Sequence, residues 1–167
     1  MASNNKVLTI DITNESITIT EVTASEKKTS TVHNAIIFET PEDAYEDGFI
    51  RDKERIAEAI KSQLAANGIT NKNAIFVLTS TKIVNREVLV PFVKENKIKG
   101  IINANSSEYF PVNMDEYIIQ YTVLEKVEDQ GQEKIKLMVA AVPSEVVESY
   151  YGLAKALGLK VAFVDYA

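Results

Sequence analysis

The stretch KVLTIDITNESITITEV, residues 6–22, decides how the chain begins to fold. Leu8, Ile10 and Ile12 alternate with other residues, Thr13-Asn14-Glu15-Ser16 interrupts them, and Ile17 and Ile19 resume the alternation, with Val22 near its end. A period of two on both sides of a polar turn predicts two paired antiparallel strands. A third strand over about residues 31–38, closing on Ala35-Ile36-Ile37-Phe38, makes the opening a three-strand meander. The loop ETPEDAYEDGFIRD follows it, punctuated by Pro41 and Gly48.

Beyond the meander the period changes. Ile56, Ile60 and Leu64 recur every four residues, Asp52 stands where a helix N-cap belongs, and Asn67-Gly68 reads as the C-terminal stop. AIFVLTS (74–80) then reads as a strand apolar on both faces, as in the interior of a parallel sheet.

Residues 83–91, IVNREVLVP, read as a strand stopped by proline, and Ile98, Ile101 and Ile102 give a helix face despite Gly100. Two alternating strands follow, one placing Tyr117, Ile119, Tyr121 and Val123 on a face, the other Ile135, Leu137, Val139 and Ala141, with VEDQGQE as the loop between them. Pro143-Ser144 opens a last helix with Ser144 as N-cap, and Val146, Val147, Tyr150, Tyr151, Ala154 and Leu157 form its apolar face up to Gly158. VAFVDYA (161–167) reads as a final buried strand. Residues 83–142 are therefore a strand-helix-strand-strand insertion in a β-β-β-α-β-α-β host made of residues 1–82 and 143–167.

Composition narrows the chemistry. With 167 residues, 46% apolar and 25% charged, the chain has the makeup of a folded globular protein. It has no cysteine and one histidine, His33, so thiol chemistry, disulfides and a histidine metal cluster are excluded. A net charge of −6 and the absence of a clustered basic track argue against a nucleic-acid substrate; the most basic stretch, KENKIKG (94–100), reads as a solvated helix face. No apolar run is long enough to span a bilayer and MASNNK lacks the apolar centre of a secretion signal, so a cytoplasmic location without membrane insertion is expected.

The element order, with an acid on the first strand, is that of the ribonuclease-H-like half found in actin-like ATPases, and the insertion resembles that of the cell-division protein FtsA. More closely, the succession LTIDITNESITITEV, IIFETPEDAYEDGFIRD, IVNREVLVP, EYFPVNMDEYIIQYTVL and VAAVPSEVVESYYGLAKALGLKVAFVDYA resembles the PilM family of type IV pilus assembly proteins, over the whole chain and in order. The resemblance implies an α/β fold, an actin-like mixed sheet with helices interrupted by the inserted subdomain, and a second actin-type half beyond this sequence.

For the opening hairpin it implies a nucleotide site in the full-length protein, with ATP and magnesium as cofactors and none expected for this chain alone. The matching positions are Asp11, for magnesium through water, and Thr13, Asn14 and Ser16 as phosphate donors. Two departures stand against it. Thr13 replaces the glycine that lets a phosphate approach, and Glu15 puts a negative charge in the turn. For this chain the favoured reading of the same residues is a plain solvent-facing turn at Asn14-Glu15, with Asp11 capping a strand end.

The resemblance further implies a cytoplasmic scaffold, peripheral at the inner face of the membrane through protein partners. It would grip the N-terminal peptide of a PilN-like inner-membrane protein between host and insertion, alongside other pilus components. Val90, Pro91 and Phe92, and Tyr109, Phe110 and Pro111, are the candidate peptide contacts, and they read equally as filling of the seam between the subdomains. The alternative function is the nucleotide-binding half of an actin-like switch. A two-metal nuclease using Asp11, Asp165 and Glu54 or Glu58 is disfavoured by charge, and a Ser-His-Asp hydrolase has no nucleophile motif beside His33.

Overall fold

The protein is described by a computed structural model over residues 6–23 and 30–166. Two compact units divide the chain: Met1–Thr81 with Glu145–Ala167, and Lys82–Ser144.

In the first unit β1 (Lys6–Ile12) and β2 (Ser16–Thr23) pair antiparallel from Lys6↔Thr23 to Ile12↔Ile17, and β3 (Thr31–Glu39) pairs with β2. The expected loop before the first helix contains a tight hairpin, β4 (Tyr45–Glu46) and β5 (Phe49–Ile50), turned by Asp47 and Gly48 at φ 44° and 90°. Asp-Gly in the left-handed region is the two-residue hairpin signal that a reading of this segment as loop overlooks. α1 (Lys53–Ala66) starts on Asp52, whose carboxylate accepts from the Arg55 amide at 3.0 Å. It stops at Gly68, φ 65°, with Gly68 N–H donating to Ala65 O and Ile69 N–H to Leu64 O, a Schellman closure.

β6 (Asn73–Leu78), α4 (Ser144–Leu157) and β10 (Lys160–Tyr166) complete this unit, and the sheet order is β10-β6-β1-β2-β3. β1, β6, β10 and β3 run in one direction, while β2 alone runs against them. This is the mixed sheet that the sequence predicts. Leu8, Ile10, Ile12, Ile17, Ile19, Ala74 and Phe76 are fully buried on one face, where Tyr150 of α4 meets Phe76 edge-on with centroids 5.6 Å apart.

Three sequence expectations change here. β10 is an edge strand with Phe163 59% exposed, because a strand that ends the sheet lacks a neighbour; Ala167 lies outside the described residues. Tyr151 is exposed and Leu153 takes its place in the buried stripe of α4. Ser144 is the first residue of α4 itself, since β9 runs straight into the helix.

The second unit holds β7 (Val84–Pro91), α2 (Glu95–Ala104), the single turn α3 (Ser106–Tyr109), β8 (Tyr117–Asp129) and β9 (Gln132–Pro143). Its antiparallel sheet has the order β7-β9-β8. Ile98 and Ile102 of α2 pack on Val88, Val90, Leu137 and Val139. The expected seven-residue loop shrinks to Gln130-Gly131, both at positive φ, so the strands continue almost to the tip. A bulge between Val123 and Glu125 leaves Val123 and Leu124 both about half exposed, which removes Val123 from the inner face.

Candidate functional site

The turn of the first hairpin is closed by one hydroxyl. Thr13 Oγ1 donates to Ser16 O at 3.0 Å and accepts from the Ser16 amide at 3.0 Å and the Glu15 amide at 3.3 Å, while the Thr13 amide donates to Ser16 O at 2.9 Å. One donor and two acceptor positions are all that a threonine hydroxyl has, so its capacity is full. Thr40, itself buried, pins the turn from outside: its hydroxyl donates to Thr13 O at 2.8 Å and its amide to Glu15 O at 3.1 Å. Of the four residues read as cofactor-binding, the structure thus joins Thr13 and Ser16 to each other and leaves Asn14 exposed at the tip. Asp11 lies inside β1, opposite Thr18 and Val77. Thr40 escapes sequence reasoning because it is 27 residues from Thr13; only the β2–β3 register, Ser16↔Glu39, brings it there.

Asp11 differs from its neighbours in the turn. Its Oδ1 is buried and has no hydrogen-bond partner among the described residues. Close enough to feel its charge are two buried phenols, Tyr45 and Tyr150, whose hydroxyls are 3.2 Å apart, with Tyr45 OH donating to Thr79 O at 3.4 Å. Burial pushes both phenol pKa values up, and the Asp11 carboxylate adds a smaller push in the same direction. Beside them Gly48 comes so near the end of β6 that a Cβ there would stand 2.7 Å from Ser80 Cβ. Asp47 fixes that approach by accepting from both the amide and the hydroxyl of Thr81 at 2.7 Å.

In the second unit the two predicted peptide-contact segments meet in one apolar cluster. Val90 and Phe110 are each 1% exposed and belong to its core, and Tyr109 packs partly buried against it. Pro91 and Pro111 are exposed. Phe92 is 46% exposed, with the Lys126 ammonium 4.6 Å over its ring. The surface available to a partner here is therefore Pro91, Phe92, Pro111 and the open side of Tyr109. On the sheet, Lys136 stands between Glu87 at 2.9 Å and Glu125 at 3.8 Å, and its pKa is raised chiefly by the hydrogen bond to Glu87. Among the described residues no group of three or more histidines and acids is placed to hold a metal ion, and no helix is long and apolar enough to cross a membrane.

The family model described as type IV pilus assembly protein PilM matches residues 9–167. Among solved structures, one titled as a PilM-PilN type IV pilus biogenesis complex superposes with a TM-score of 0.84 at 19% identity, covering 98% of this chain and 48% of that one. The cytoplasmic domain of EpsL, an inner membrane component of the type II secretion system of Vibrio cholerae, superposes at 0.59 with 13% identity, covering 96% of this chain and 57% of that one. At these identities the likeness is one of fold, and the chain spans about half the length of these structures. No curated protein sequence matches the chain.

Proposed function

The chain belongs to the PilM family of type IV pilus assembly proteins, and from that premise we propose that it is a scaffold which holds the cytoplasmic N-terminal peptide of a PilN-like inner-membrane protein. Its support is the superposition, over nearly its whole length, on the structure titled as a PilM-PilN complex. That partner would keep the protein at the inner face of the membrane, in company with other pilus components.

The exposed rim of the second unit supplies chemistry suited to an extended peptide. Proline and aromatic faces offer apolar contact at low entropic cost, because Pro91 and Pro111 have fixed φ and Phe92 and Tyr109 have few rotatable bonds. Phe92 and Tyr109 are the proposed anchors, and Phe110, buried in the cluster against which Tyr109 packs, does not touch the peptide.

Titrating the chain with a fluorescent peptide from the N-terminus of a PilN-like protein tests the reading. Saturable binding is expected, with Phe92→Ala weakening it about tenfold, the size of an ordinary interface anchor. Lack of saturable binding to the unaltered, folded chain would overturn the proposal; equal affinity in the Phe92→Ala variant would move the site elsewhere.

A further inference from the structure

The actin-like fold class carries a nucleotide-phosphate seat in its first hairpin, and the residues of this hairpin do not fit it. We infer that the turn from Thr13 to Ser16 is a ligand-independent clasp that receives no nucleotide phosphate, and that Thr13 and Glu15 are the residues that close it.

A phosphate seat needs free backbone amides converging on a point that the ligand can reach. Here the amides of Glu15 and Ser16 converge on Thr13 Oγ1, and the amide of Thr13 is turned to Ser16 O. The hydroxyl occupies the place that a phosphate oxygen would take, bonded at hydrogen-bond distances to the same donors. Releasing them means breaking three contacts of the turn at once. Thr40 opposes that opening, since its hydroxyl and amide hold Thr13 O and Glu15 O from a buried position.

Charge acts in the same sense. Glu15 is exposed in the turn, and Asp11 presents a carboxylate oxygen with no hydrogen-bond partner among the described residues. An incoming phosphate would meet two carboxylates and no cationic side chain from the turn itself. The Asp11 oxygen without a partner suits a cation, but acids alone do not make a phosphate seat.

The turn can be tested without the rest of any nucleotide site, by following its backbone amides in NMR spectra of the chain. In the unaltered protein the Glu15 and Ser16 amides are expected to exchange slowly, and Thr13→Val, which removes the hydroxyl and keeps the shape, should speed their exchange about tenfold while leaving β6 unchanged. Magnesium pyrophosphate up to about 5 mM should leave the amide shifts of residues 13–16 in place, whereas Thr13→Gly with Glu15→Ser should give saturable shifts there. Saturable shifts in the unaltered protein would overturn the inference. So would a double variant, folded by its β6 amides, that still ignores pyrophosphate, because closure would then not lie with Thr13 and Glu15.

Discussion

The two units solve the same problem with different reserves. The larger lays two 14-residue helices, α1 and α4, in one chain segment each around a five-stranded sheet, and passes a polar contact, Tyr45 to Tyr150, through its interior. The smaller has three strands, one ten-residue helix and an interior of side chains without such a contact among those described: Val88, Val90, Ile98, Ile102, Phe110 and their neighbours. Small bodies bury a smaller share of their surface, so each core side chain counts for more. Phe110 is one such core side chain, 1% exposed.

The sharpest way to break this contrast is Phe110→Ala. Deleting a fully buried ring costs about 3–5 kcal/mol, and hydrogen exchange should show protection lost first among residues 82–144. Equal loss in β1 and β6 would mean that the smaller unit has no separate stability. Next comes Gly48→Ala in the larger unit: at φ 90° with Ser80 Cβ 2.7 Å from the new methyl, it combines backbone strain with a clash. A loss of about 2–3 kcal/mol in urea unfolding is expected, by the usual size of these effects.

Alkali probes the polar contact. Tyr45 and Tyr150 have folded pKa values above the unfolded value of 10.0, so their contribution to stability is fully present below that pH and falls as pH rises through it toward the folded values. Unfolding midpoints measured from pH 8 to 11 should decline accordingly, and Tyr150→Phe should flatten the decline while costing about 1 kcal/mol at neutral pH, the worth of one hydrogen bond. The smallest effect belongs to Lys136→Met. Its partners Glu87 and Glu125 lie on exposed strand surface, where ion pairs are screened by solvent and contribute little. A thermal midpoint lowered as far as in Phe110→Ala would show that the charge ladder does as much for the smaller unit as its core does.

Local signals in the sequence predict local structure well here. Asp52, Asn67 and Gly68 mark both ends of α1, and the alternation from Leu8 to Ile19 yields the first strand pair with its register, because caps and strand faces depend on residues close in the chain. Val90 and Phe110 were legible as apolar residues of one region, yet nothing local distinguishes a buried phenylalanine from the exposed Phe92. That distinction follows from which of them α2 and the strands enclose. The bulge that turns Val123 outward and the Thr40 clasp on the turn depend on strand register, a property of two segments at once. Tyr151 misled for a related reason: it sits beside Tyr150 in sequence, and a turn of 100° per residue carries it to the outside.

β3 closes one side of the five-stranded sheet, and Val32 and Ile37 on it are 59% and 71% exposed. Unpaired strand backbone flanked by greasy side chains is a template for lateral addition of another copy. The formal charge of −6 that every copy carries opposes such addition in dilute buffer. Near 1 M salt, where that repulsion reaches only about 3 Å, concentrated solutions are expected to turn cloudy along this margin, and a lysine at position 37 should keep them clear.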